Sequence, residues 1–276
     1  MAGSWAADLL ALVRARNLLL SAAGVGIGGV LAQGRATFPP VVLWAMGSAA
    51  LLGAAGNVAN DVADREADRV NRPDRPLVRG TVSAGAALTI GGIAGGLGLL
   101  TAWWVGTQLF TIAVAALAVM LVYSPLLKQH GLAGNLAVAV VASLPLVYGA
   151  SAVGWWRAGL APGAMAALLH FAREMVKDVE DESGDRAMGR RTIPVSHGRD
   201  TALTLAAAAL ALFVPISLAP YAAGWYGRRY AVLVVLLDVG IALLIARLLA
   251  RHTAGVRAAL KTAMLAGLAA LLWDRL

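Results

Sequence analysis

Apolar stretches long enough to cross a bilayer follow one another along almost the whole chain, separated by short polar connections. A transmembrane helix needs about 20 predominantly apolar residues. Roughly nine such segments can be drawn, at 10–32, 39–60, 84–104, 108–126, 134–154, 158–177, 201–223, 229–249 and 256–273. The composition agrees, with 59% hydrophobic and only 14% charged residues, where a soluble domain is about half apolar and a quarter charged. The expectation is an all-α polytopic membrane protein of about nine transmembrane helices, a single domain over 1–276. No substantial segment remains for a soluble domain.

The net charge of +8 is explained by topology rather than by nucleic acid. If the spans alternate, 18 of the 23 Lys and Arg lie on the side of the N-terminus and 5 on the other. The positive-inside bias then puts the N-terminus in the cytoplasm of a multi-pass cell-membrane protein. Trp103-Trp104, Trp155-Trp156 and Trp225-Tyr226 fall in the outer connections, where an interfacial aromatic belt belongs. There is no cysteine, which excludes disulfides and thiolate chemistry. Four histidines without paired ligand spacing argue against zinc. His170, at the end of the sixth span, reads as a packed residue rather than a base.

Against this apolar background, most of the 15 acidic residues gather in two runs. The first is Asn57-Val-Ala-Asn60-Asp61-Val-Ala-Asp64-Arg-Glu-Ala-Asp68, continuing to Asn71-Arg72-Pro73-Asp74-Arg75-Pro76. The second is Arg173-Glu174-Met-Val-Lys177-Asp178-Val-Glu-Asp181-Glu-Ser-Gly-Asp185. Asn57, Asn60 or Asp61, Asp64 and Asp68 step by three or four and share a helix face, as do Glu174, Asp178, Asp181 and Asp185. Two like charges about 6 Å apart repel by roughly 2–3 kcal/mol at an effective dielectric near 20, so such faces call for cations. Carboxylates with an amide are hard oxygen donors, and Mg²⁺ suits them because it binds one or two carboxylates together with substrate phosphates. Arg72 and Arg75, each followed by a proline, offer planar forks for phosphate oxygens.

The runs close the second and sixth spans, and a shift of 117 residues carries Asp64 and Asp68 onto Asp181 and Asp185. This suggests a duplicated four-helix unit, with halves at about 10–126 and 134–249 and a ninth helix at 256–273. The glycine stretches 24–29 and 91–96 lie inside spans and read as small-residue packing faces.

These residues carry a resemblance. Asn60, Asp64 and Asp68 resemble the Asn-xxx-Asp-xxx-Asp motif of the UbiA superfamily of intramembrane prenyltransferases, and Asn71 to Pro76 resemble its N-R-P-x-R-P continuation. Asp181 and Asp185, trailed by Gly189 and Thr192, match the second motif. Arg14-Ala-Arg16-Asn17 is similar to the family's Arg-Pro-x-Asn, with Ala15 in place of proline, and Tyr123 to Lys128 is similar to its Tyr…Lys motif, one residue longer than the commonest spacing. The resemblance implies a bundle with a central cavity and cytoplasmic helical caps, in which Mg²⁺ on the two motifs holds a polyprenyl diphosphate. It further implies catalytic roles for Asp64, Asp68, Asp181, Asp185 and Tyr123. Metal contacts would come from Asn60, Asp64, Asp68, Asp181 and Asp185, with Asp61, Glu174 and Asp178 in support. Substrate contacts would come from Arg14, Asn17, Asn60, Arg72, Arg75, Lys128 and Lys177. The partners implied are a polyprenyl diphosphate, an acceptor and membrane lipid, with no obligate protein partner.

For the acceptor, R-E-x-x-K-D-x-E-D-x-x-G-D, beginning at Arg173, resembles the archaeal digeranylgeranylglyceryl phosphate synthase branch, as does the Gly131 to Gly149 segment. This implies transfer of a geranylgeranyl group to geranylgeranylglyceryl phosphate in ether-lipid synthesis, with Arg173, Lys177, Lys128 and Arg79 available for the acceptor's phosphate. The alternative is an aromatic prenyltransferase of the 4-hydroxybenzoate type, with Arg14 or Lys177 on the acid. A secondary transporter also shows repeats and intramembrane acids, but here the acids sit at span ends.

Overall fold

The computed structural model describes residues 5–123, 126–127 and 131–275. The short α1 (Trp5–Leu12) precedes the first long helix, α2 (Ala15–Gln33), and α3 (Pro40–Ala63) returns. The 10–32 segment is therefore not one helix. Arg14 takes the left-handed conformation at φ 55° and breaks it. After α3 come two short helices, α4 (Arg65–Asn71) and α5 (Pro76–Arg79), then the hairpin of α6 (Ala84–Val105) and α7 (Thr107–Tyr123). The second part of the chain follows a similar order. It contains α8 (Gly131–Ala152), α9 (Leu160–Glu180), the short α10 (Glu182–Ala187) and α11 (Ile193–His197), then α12 (Arg199–Ala222) and α13 (Arg228–Leu249). Helix α14 (Val256–Trp273) ends the chain.

Among the described residues, seven helices are long and apolar enough to cross a membrane: α2, α3, α6, α8, α12, α13 and α14. Helix α7 is apolar but has 17 residues. Helix α9 has 21 but carries Arg173, Glu174, Lys177, Asp178 and Glu180 in its last two turns. The protein is an all-α polytopic membrane protein. Its outward faces carry large apolar side chains such as Leu19, Leu43, Leu236 and Val239, as a lipid-facing surface requires. Exposed Trp103, Trp104, Trp155 and Trp225 gather at the end opposite the acidic motifs.

Side chains form two principal cores. Val25, Ala45, Leu52, Ala102, Leu109 and Tyr148 join α2, α3, α6, α7 and α8. Met175, Leu203, Leu210, Phe213, Leu248 and Leu260 join α9, α12, α13 and α14. Inside the first core, Ser48 donates to the Gly98 carbonyl (2.8 Å) and meets the Tyr148 hydroxyl (2.7 Å), tying α3, α6 and α8 together. Buried polar links of this kind are worth about 0.6 kcal/mol on average in a membrane.

The glycine stretches do serve close approach, but unevenly. A Cβ placed on Gly149 would fall 1.8 Å from the Val25 carbonyl oxygen, and one on Gly28 2.1 Å from that of Leu146, so α2 and α8 touch backbone to backbone. Gly91 and Gly98 face Val58 and Leu52 of α3, while Gly92 and Gly96 face open space.

Candidate active site

Helices α3 and α9 both change direction at an aspartate. Asp64 (φ −88°, ψ 2°) separates α3 from α4, and Asp181 (φ −91°, ψ 2°) separates α9 from α10. Hydrogen bonding four residues back persists through each bend. The Asp64 amide donates to the Asn60 carbonyl (2.9 Å) and Asp68 to Asp64 (2.8 Å). Likewise Asp181 donates to Lys177 (2.9 Å) and Asp185 to Asp181 (3.0 Å). The chain bends without losing register, so the residues four apart still stack on one face.

Both faces look into one cavity of about 1380 Å³. Its polar end is lined by Asn60, Asp64, Asp68, Arg72 and Arg75 from the first motif, and by Lys177, Asp178, Asp181 and Asp185 from the second. Arg14, Asn17 and Tyr123 join them. Its deeper wall is apolar, with Leu18, Met120, Val138, Met165, Phe213 and Leu268. Lys128 lies outside the described residues. Arg79 binds Asp8 of α1 and is not among the lining residues.

The carboxylates are held by named cations and amides. Arg75 bridges Asp61 (2.9 Å) and Asp68. Arg14 donates to the same Asp61 oxygen as Arg75. Across the cavity Arg190 pairs with Asp185 (3.0 Å), and the Asn135 amide donates to Asp178 (2.7 Å). All four carboxylates are buried, where an unpaired charge would be expensive.

The structure decides between two alternatives. Helical spacing leaves Asn60 and Asp61 as alternatives for the cavity face, and the structure puts Asn60 there. Asp61 is 4% exposed, is not part of the lining, and faces Arg14 and Arg75. Its charge is engaged by two guanidiniums, those of Arg14 and Arg75. Sequence reasoning also passed over Arg190 and Asn135 as partners of the second motif. An amide near the start of an otherwise apolar span was the available signal for Asn135.

Among the described residues, no three His, Asp or Glu converge into a ready-made metal cage. Mg²⁺ does not require one, since one or two carboxylates and substrate phosphates suffice. The donors facing the cavity are carboxylate and amide oxygens, the chemistry this ion takes. Sets of carboxylates and arginines on opposite sides of an apolar-walled chamber suit an intramembrane enzyme whose substrate has a charged head and a hydrocarbon tail.

Residues 19–270 match the model of the UbiA prenyltransferase family, and the chain belongs to that family. It is a membrane prenyltransferase. Among its relatives, the digeranylgeranylglyceryl phosphate synthase of Halobacterium salinarum is 40% identical over 226 residues, 82% of either chain. That of Natronomonas pharaonis is 36% identical over 275 residues, covering 97% of this chain and 96% of the relative. A solved structure described as giving insight into digeranylgeranylglyceryl phosphate synthase in membranes superposes with a TM-score of 0.91, at 26% identity and 99% coverage of both chains. A UbiA homolog from Archaeoglobus fulgidus bound to DMAPP and Mg²⁺ shares the fold, with a TM-score of 0.71 at 19% identity, covering 96% of this chain and 99% of that one.

Proposed function

We propose that this protein is a digeranylgeranylglyceryl phosphate synthase. It transfers a geranylgeranyl group from its diphosphate to the free hydroxyl of geranylgeranylglyceryl phosphate. The observation that carries this reading is the single cavity onto which both acidic motifs open, polar at one end and apolar at the other, taken with the relatives' activity.

Asn60, Asp64 and Asp68 on one side, and Asp178, Asp181 and Asp185 on the other, would hold Mg²⁺ together with the diphosphate. Mg²⁺ held there would supply positive charge to offset that of the leaving diphosphate. Arg14, Arg72 and Arg75 orient the same diphosphate, with Asn17 and Asn60 as neutral hydrogen-bonding groups. The allylic C–O bond breaks with its electron pair leaving on diphosphate. The acceptor oxygen bonds to the allylic carbon, and its proton passes to the departing diphosphate. The apolar wall keeps water from the carbocation, and the Tyr123 ring face offers it electrostatic stabilisation. Lys128 completes the set that holds the donor, and Lys177 is left for the acceptor.

Helices α7 and α9 complete nine spans in this reading, with α9 tolerating charge because its polar face turns to the cavity. The chain is one domain over 1–276, built from two related halves, about 10–126 and 134–249, and a ninth helix at 256–273. The matching backbone at Asp64 and Asp181 supports the duplication. The excess of Lys and Arg on the motif side supports a cytoplasmic mouth.

The test is to incubate purified protein with Mg²⁺, geranylgeranyl diphosphate and each acceptor separately. Product is expected with geranylgeranylglyceryl phosphate. Turnover with 4-hydroxybenzoate alone would replace this assignment with that of an aromatic prenyltransferase.

A further inference from the structure

The cavity carries a second group of cations, hydrogen-bonded to Glu174 and not to the motif aspartates. Arg173 and Lys177 lie four residues apart on α9 and both line the cavity, as does Glu174. Arg173 donates to one carboxylate oxygen of Glu174 (2.6 Å) and Lys177 to the other (3.0 Å). The Glu174 side chain is 7% exposed, against 23% for Arg173 and 39% for Lys177. The acid is thus sunk into the wall while the two cations keep open surface. One carboxylate between two cations leaves a net positive charge, with donors left over for an anion.

Arg75 and Arg190 have a different commitment, since they are paired with the motif residues Asp68 and Asp185. The chamber therefore contains two separate cationic groups. One is interleaved with the aspartates, and the other stands on α9 on the near side of Asp178 and Asp181 in sequence. A reaction joining two lipids that both carry phosphate needs two anion sites in one chamber, close enough for the acceptor's hydroxyl to reach the allylic carbon.

We propose that Arg173 and Lys177 form the binding site for the phosphate monoester of the acceptor lipid. Glu174 is the positioning residue that spreads the two cations apart. This inference rests on the function proposed above, and it assigns the acceptor's headgroup to residues distinct from those that hold the donor. A phosphate monoester carries up to two charges and three acceptor oxygens, which suits a planar fork beside a flexible ammonium. A neutral acceptor would leave the pair without a counter-anion beyond Glu174.

Binding to the detergent-solubilised full chain tests this, with no metal or donor present. The two probes are geranylgeranylglyceryl phosphate and the same lipid without its phosphate. The unaltered protein should prefer the phosphorylated lipid at least about tenfold, roughly 1.4 kcal/mol. Arg173→Met and Lys177→Met should each remove most of that preference, Glu174→Gln should reduce it, and Arg173→Lys should retain it in part. Binding of geranylgeranyl diphosphate with Mg²⁺ should stay within about twofold throughout, since that ligand draws on the motif residues. Equal loss of both probes would mean a structural role and overturn the assignment. So would donor binding weakened as much as acceptor binding, or an unaltered protein with no phosphate preference. Turnover is scored separately: a protein that binds the phosphorylated lipid by this site but prenylates another acceptor overturns the proposed function and not the anion site.

Discussion

Asp64 and Asp181 have nearly the same backbone conformation, φ −88° and ψ 2° against φ −91° and ψ 2°, at the points where α3 and α9 bend over the cavity. Each lies four residues before a buried aspartate that an arginine holds, Asp68 with Arg75 and Asp185 with Arg190. The chamber has a matched jaw on either side.

Matched jaws should be individually indispensable. Asp64→Asn and Asp181→Asn each remove a charge at a helix junction where the side chain is not buried and makes no capping hydrogen bond. The expected loss in kcat is about 10²–10³, the scale for deleting one group that stabilises transition-state charge. Elution volume and thermal midpoint should stay unchanged. Activity retained in either variant would refute a mechanism that needs both sides.

Metal dependence follows from the same geometry. Treatment with a chelator should abolish transfer and added Mg²⁺ should restore it, because the carboxylates need an ion to face a diphosphate at close range. Undiminished product formation in excess chelator would contradict that role.

Asp61 and Asp64 separate two functions within one motif. Asp61→Asn weakens the hold on Arg14 and Arg75, so the donor KM should rise severalfold to about tenfold, up to roughly 1.4 kcal/mol. The Mg²⁺ concentration for half-maximal rate should not move. A shift in that concentration as large as the one caused by a conservative change at Asp64, such as Asp64→Glu, would return Asp61 to the metal ligands.

Packing at the α2–α8 contact gives a stability prediction. Gly149→Ala drives a methyl into the Val25 carbonyl, and overpacking of this kind costs about 1–3 kcal/mol. Gly92→Ala meets open space and should be neutral or slightly stabilising by helix propensity. Thermal unfolding of both in the same detergent checks the contrast. Equal midpoints would mean that the helices yield at this crossing.

The fold was legible because apolar length is a local property. Segments 84–104 and 229–249 coincide closely with α6 and α13. The break at Arg14 was not legible, since Val-Arg-Ala-Arg-Asn contains no glycine or proline to announce it, and Arg14 is held by Asp61, 47 residues away. The bends at Asp64 and Asp181 are equally silent in sequence. Periodicity found both acidic faces but left Asn60 and Asp61 undecided, because adjacent residues differ by only 100° around a helix. Asn135 with Asp178 and Arg190 with Asp185 are tertiary pairings, which spacing within one helix does not determine. Lys128 was named from its motif and lies outside the described residues.

The Gly28–Gly149 crossing has a consequence for the size of the prenyl chain. Gly24, Pro145 and Leu146 line the chamber beside this crossing, and the two backbones are already as close as atoms allow. The crossing itself has no side chain at Gly28 or Gly149 to trim and no gap between the helices to close. A change in the length of tail accommodated is then expected from the lining side chains, such as Phe213 and Leu268, so chain-length selectivity can evolve by substitution there without disturbing the helix crossing.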